Sequence, residues 1–214
     1  LALLKPSGFC QEEKSTLAMN IPDQPGPELI KHIEIITGAP VDDAGAVMHS
    51  FTRSQVEKKE IIQQANHACK NLFFVVRGCL RMFFVDSKGV ERTTQFAIEN
   101  WWLTDFLAFG KQQPTEFSIQ AVEPTEVLSI SHDAYELLLQ EHPQMERYFR
   151  KIYERGYGAS LLRMRYQQDF SREELYRHFA SLFPEFVQRV PQYLLASYLD
   201  ITPEYLSELR KKRS

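Results

Sequence analysis

The sequence predicts an α+β chain in three successive parts: an N-terminal antiparallel β-barrel, one long helix, and a C-terminal helical helix-turn-helix domain. Three observations predict this. Short apolar runs at close, regular spacing occupy residues 55–131, as in an antiparallel barrel or sandwich. A helical pattern then runs from Pro143 to about Phe170, with apolar residues at every seventh position. The final stretch, from Val190 to Lys212, reads as two short helices around a tight turn, with basic residues trailing off the second.

The N-terminal elements are short. Residues 20–27 hold three prolines and a glycine and read as an extended lead-in. Glu28 to about Thr37 is predicted as a helix with Leu29, Ile33 and Ile36 on one side, and Val41–Thr52 as a second helix. Strands are expected at Leu72–Val76, at Leu80–Phe84, at Thr93–Ile98, at Phe117–Val122 and at Val127–Ile130. Asp86-Ser87-Lys88-Gly89 is expected to close a hairpin. Helix resumes near Ser131. In the long helix Met145, Ile152, Ala159 and Tyr166 form an apolar heptad series, which predicts a parallel homodimer seam, the alternative being a long helix packed on its own barrel. Gly156 and Gly158 are costly in a helix interior, which suggests a close backbone approach or a bend. Ser171-Arg172-Glu173-Glu174 is a capping box, and Pro184 ends the helix it opens.

In the terminal segment Leu195, Ala196 and Leu199 share a helical face. Asp200 falls at the turn, where a positive φ is usual. Thr202 is a good N-cap, Pro203 suits the first helical position, and Glu204 favours the positive helix end. Leu206 and Leu209 point inward. Thr202, Pro203, Glu204, Ser207 and Glu208 are then the expected DNA-facing residues, with Arg210, Lys211, Lys212 and Arg213 supplying phosphate contacts.

The 214 residues carry a net charge of −3, which argues against indiscriminate nucleic-acid binding. The distribution is uneven. Residues 144–214 hold 13 Lys+Arg against 9 Asp+Glu, a net of +4, and residues 1–143 carry a net of −7. An acidic sensing body joined to a basic binding end is expected. No run of about 18 apolar residues predicts a membrane span. Three cysteines, Cys10, Cys69 and Cys79, make no disulfide framework, so a reducing cytoplasm is the expected compartment. Residues 1–18 read as an upstream extension.

With its order complete, the chain resembles the cyclic-AMP receptor protein/fumarate-nitrate regulator (Crp/Fnr) superfamily of bacterial transcription factors. The resemblance covers about residues 28–212. It rests on Lys58-Lys59-Glu60-Ile61-Ile62, Leu72-Phe73-Phe74-Val75-Val76-Arg77-Gly78 and Lys88-Gly89-Val90-Glu91 in the barrel. At the C-terminus it rests on Leu195-Ala196-Ser197-Tyr198-Leu199-Asp200-Ile201-Thr202-Pro203-Glu204-Tyr205-Leu206-Ser207. The phrasing is similar to the Bacteroidetes branch. The resemblance implies a cyclic-nucleotide-binding-domain-like jelly roll and a homodimer. It also implies double-stranded DNA as partner and RNA polymerase as a further one. The implied boundaries are a lead-in at 1–27, a sensor at 28–143, a dimerisation helix at 144–170 and a DNA-binding domain at 171–214.

Nucleotide binders of this family carry a Gly-Glu pair and an Arg-Ser/Thr-Ala run. By position these fall at Leu103-Thr104 and at Thr115-Glu116-Phe117, where the cation is lost and a carboxylate is gained. Cyclic nucleotide binding is therefore not expected. Trp101, Trp102, Thr104, Phe106, Thr115, Glu116 and Phe117 are the candidate lining of an unknown small-molecule effector pocket, or filling where a nucleotide would lie. The family's DNA-reading helix often has Arg at the positions of Pro203 and Glu208, and its usual wing has no counterpart between Phe170 and Pro191. No cofactor, metal site or catalytic constellation is expected: three cysteines cannot hold a four-cysteine cluster, and His32, His49, His67, His132, His142 and His178 are scattered. The alternative to a DNA-binding regulator is a sensor or interaction module that does not bind DNA.

Overall fold

The structure, a computed structural model, describes residues 26–211. The lead-in, Cys10, Lys212 and Arg213 lie outside the described residues. Two helices, α1 (Pro27–Thr37) and α2 (Ala44–His49), precede the strands. The strands are β1 (Thr52–Val56), β2 (Ile61–Gln63), β3 (Asn71–Arg77), β4 (Leu80–Val85), β5 (Glu91–Ala97), β6 (Trp102–Leu103), β7 (Ser118–Ala121) and β8 (Thr125–Ser131). A short helix, α3 (Phe106–Lys111), separates β6 from β7. Six helices follow: α4 (His132–Glu141), α5 (Pro143–Asp169), α6 (Arg172–Leu182), α7 (Pro184–Arg189), α8 (Gln192–Leu199) and α9 (Pro203–Lys211).

The strands form two four-stranded sheets in the orders β1-β8-β3-β6 and β2-β7-β4-β5, all pairs antiparallel. They do not close into the barrel the sequence predicted. The reason lies in the side chains. Phe73, Val75 and Val127 of the first sheet meet Leu80, Met82, Ala97, Ile119 and Ala121 of the second, making the core between the sheets. Alternate residues of the same strands point the other way. Leu72, Phe74, Leu128 and Ile130 pack under α1, α2, α4 and the start of α5. Phe96, with Cys79 and Val122 from the adjoining turns, packs under α6–α9. The central strand β3 is thus covered on both faces, and a strand buried on both faces reads as the unbroken apolar run Leu72–Val76.

Three local features fix the topology. Gly78 turns β3 into β4 with φ 110°, and a Cβ there would lie 2.7 Å from the backbone of Thr125, so only glycine fits. The β4–β5 turn is as expected: Gly89 has φ 77°, and the Asp86 carboxylate accepts from the backbone N–H groups of Lys88 and Val90. The predicted helix over 41–52 shrinks to α2, because Asp43 caps at Ala44 and Thr52 already pairs with Ser129 of β8.

The capping box at Ser171 is complete, with Ser171 and Glu174 each accepting the other's backbone N–H. Tyr148, on the first turns of α5, is fully buried and ties three elements together. Trp102 Nε1–H donates to the Tyr148 hydroxyl at 2.7 Å, and the same hydroxyl pairs with His32 Nδ1, also at 2.7 Å. Burial, followed by the nearby Arg155 charge, depresses the His32 pKa from 6.5 to about 4. A depressed histidine contributes stability that is fully present above pH 6.5 and is lost as pH falls through 6.5 toward 4. In urea unfolding the wild type is expected to lose up to about 1.4 kcal/mol per pH unit in that window, relative to His32→Asn. Parallel pH profiles for the two proteins would contradict this.

Candidate nucleic-acid interface and sensor cassette

The two terminal helices meet at a C-terminal cap of the Schellman type. Asp200 takes φ 55° and ψ 48°; its N–H donates to Ser197 O, and Ile201 N–H donates to Ala196 O. The positive φ expected at this position is present, on aspartate instead of glycine. Arg172 holds the Asp200 carboxylate at 2.8 Å, and Arg92 of β5 approaches it at 3.5 Å. Thr202 caps α9 by accepting from Tyr205 N–H. Leu206 and Leu209 are buried against Leu194, Leu195, Ala196 and Leu199. That burial leaves Thr202, Pro203, Glu204, Glu208 and Lys211 exposed on the outer side, with Ser207 and Arg210 half-buried at its flanks. No strand occurs among described residues 132–211, so a wing is absent there, as the sequence predicted.

The α8–α9 unit is mounted on the second sheet. Ser197 Oγ on α8 accepts from Thr93 N–H at 2.9 Å and donates to Glu91 O at 3.0 Å, satisfying the open edge of β5. Arg163 of α5 lies 4.1 Å over the Tyr198 ring and donates to the carbonyls of Thr94 and Tyr198. Phe96 stacks edge-on to Phe186 at 5.1 Å and lies 5.4 Å from the Tyr198 ring. Arg189 of α7 is bidentate to Glu99 at 2.7 and 3.0 Å and bonds Glu123 at 2.6 Å. Burial alone would raise the Glu99 pKa, but Arg189 and the Gly78 N–H outweigh it and hold the carboxyl below its usual range. An open groove of about 560 Å³ runs between the β4–β5 hairpin, α5 and α8.

The candidate effector residues do not gather around one cavity. Trp102 points into the core beneath α5, whereas Trp101, the preceding residue, packs toward the sandwich and α6–α9. Phe106 meets Tyr153 of α5 at 5.0 Å, and Phe117 meets Phe84 at 6.2 Å. Glu116 is exposed. Only Thr104 and Thr115 come together, in a polar cluster at the start of α3. Asp105 Oδ1 accepts from Ala108 N–H, capping that helix, and its Oδ2 accepts from the buried Thr115 hydroxyl at 2.8 Å. Thr115 Oγ1 in turn accepts from Phe117 N–H, and Thr104 pairs with Asn71 O and Cys69 Sγ. Burial raises the Cys69 thiol pKa. No Lys or Arg among the described residues bonds to this cluster. Its one carboxylate already occupies the helix end and the buried hydroxyl. Asp105 was missed in the sequence; the only signal for it was an aspartate three residues before a small residue at a helix start.

Three of the four expected seam residues on α5 pack on their own chain. Met145 is fully buried, Ile152 packs on the same core, and Tyr166 stacks on Phe170 and His178. Ala159 is half-buried. Met145 therefore has no surface for a partner. The heptad series reads true as apolar spacing, but that face meets α1, β6 and α6. The exposed apolar face comprises Tyr153, Tyr157, Leu161 and Met164, with Tyr157 68 % exposed. Among the described residues nothing lies within 4 Å of a Cβ built on Gly156 or Gly158.

Comparison with known proteins agrees with this architecture. Residues 53–142 match the family model of the cyclic nucleotide-binding domain. FixK2 from Bradyrhizobium japonicum is similar, with 16 % identity, 76 % of this chain and 83 % of that chain covered, and a TM-score of 0.64. A CooA mutant from Carboxydothermus hydrogenoformans has 17 % identity, 84 % and 82 % coverage and a TM-score of 0.63. The c-di-GMP-responsive global regulator CLP of Xanthomonas campestris has 16 % identity, 77 % and 86 % coverage and a TM-score of 0.62. No curated protein matches the chain by sequence. Residues 53–142 thus match the cyclic nucleotide-binding domain, and the chain shares its fold with these three structures. No helix among the described residues is long and apolar enough to cross a membrane.

Proposed function

We propose that the protein is a homodimeric, DNA-binding transcription regulator of the Crp/Fnr type, acting in the cytoplasm without enzymatic activity. The observation that carries this reading is the α8–Asp200–α9 unit, whose apolar side is buried and whose Thr202–Lys211 side is open. A helix presented in this way fits the major groove, with Arg210 and Lys211 placed for phosphates. The second copy is expected to seat along α5, on Tyr153, Tyr157, Leu161 and Met164, where Gly156 and Gly158 leave room for close approach. RNA polymerase is a further expected partner. The test is enrichment of sequences from a random duplex pool by the full-length protein at low salt. A near-palindrome with half-sites about one helical turn apart is expected, and no enrichment would contradict the reading.

The cassette is read as degenerate. Asp105 and Thr115 satisfy one another where the resemblance places a phosphate-binding arginine, so cyclic AMP and cyclic GMP are not expected to be effectors. Calorimetric titration should show no saturable binding at tens of micromolar nucleotide; micromolar affinity would contradict this. A second reading is favoured by the carboxylates on the α9 face. If Glu204 and Glu208 dock a basic protein, the chain is an interaction module and duplex DNA shows no salt-dependent binding.

A further inference from the structure

Resting on the DNA-binding reading, we infer that Glu208 makes the α9 face select amino-bearing bases, cytosine or adenine, and reject guanine at its contact. Glu204 and Glu208 are both exposed and lie one turn apart on the face opposite the buried Leu206 and Leu209. Glu204 has a folding role, because a carboxylate in the first turn complements the positive end of the helix. Glu208 has no such placement. It lies beyond the first turn, where the helix start gives a carboxylate no support, and it faces a like charge at i−4. Lys211, three residues on, offsets part of that cost. Folding alone does not account for a carboxylate there.

Its chemistry restricts what it can read. A carboxylate only accepts hydrogen bonds. In the major groove the available donors are cytosine N4 and adenine N6, whereas guanine presents the acceptors N7 and O6. Four residues of helix span about 6 Å, so the two carboxylates reach bases one or two steps apart.

The test is sequencing of random-pool duplexes enriched at low salt by full-length wild type, Glu208→Gln and Glu208→Arg. Position 208 is exposed, so the variants should fold and dimerise as wild type does, which sedimentation and circular dichroism check. The wild-type motif is expected to exclude guanine at one position per half-site. Glu208→Arg should convert that position to guanine with a preference of roughly 5- to 100-fold, and Glu208→Gln should shift it to adenine. A wild-type motif with guanine there, or a motif unchanged in Glu208→Arg, overturns the inference and leaves the DNA-binding reading standing. Absence of any salt-dependent duplex binding overturns both.

Discussion

Phe96→Ala is expected to lower the unfolding free energy by about 3–5 kcal/mol. Phe96 is fully buried on the outer face of the second sheet, against Phe186 and Tyr198. Its ring belongs at once to the second sheet and to the core of α6–α9, so the cavity opens between the two parts, where neither can collapse alone. Urea unfolding followed by tryptophan fluorescence and by far-ultraviolet circular dichroism should show the loss, with the helical signal falling at lower urea than in the wild type. A loss below about 1 kcal/mol, far under that range for a buried phenylalanine, would mean that the helices do not depend on this sheet. The Arg189 clasp on Glu99 and Glu123 is a weaker tie, because all three side chains are partly exposed and screened.

Leu161→Asp is expected to convert the dimer to a monomer at tens of micromolar while leaving subunit stability nearly unchanged. Leu161 is 45 % exposed within the chain, so a carboxylate there is solvated in the monomer and buried only if a second copy covers it. Sedimentation velocity distinguishes the outcomes. A wild type that is itself monomeric, or a variant that remains dimeric, would contradict the placement of the second copy on α5. Ile152→Asp should behave differently: it packs on the subunit's own core, so it should unfold the chain.

Much of this architecture was legible in the sequence because its signals are local. The capping box at Ser171, the Asp86–Gly89 turn, the prolines opening α5 and α7 and the spacing of Leu195, Leu199, Leu206 and Leu209 each act within a few residues. The sandwich was harder to read. Alternation says which residues share a face, but not whether a sheet closes on itself or stacks on another, and Leu72–Val76 is apolar on both faces. The heptad series on α5 is ambiguous for a related reason. A seven-residue apolar repeat marks a buried face, and Met145 and Ile152 are buried by their own chain. The cassette reading rests on the residue types at 103–104 and 115–117, whereas the Asp105–Thr115 bond joins residues ten apart and leaves no periodic trace. The Ser197 clamp on β5 spans more than a hundred residues, and no sequence pattern announces it.

The most direct test of the central claim is the salt dependence of duplex binding by the full-length protein, measured by fluorescence anisotropy on a mixed-sequence duplex. Affinity should fall linearly on logarithmic axes as salt rises, and Lys211→Ala should reduce the slope by about 0.9 for each phosphate that Lys211 neutralises. Binding that is absent at low salt, or whose slope is unchanged by Lys211→Ala, would contradict the assignment of α9 as the DNA-facing helix.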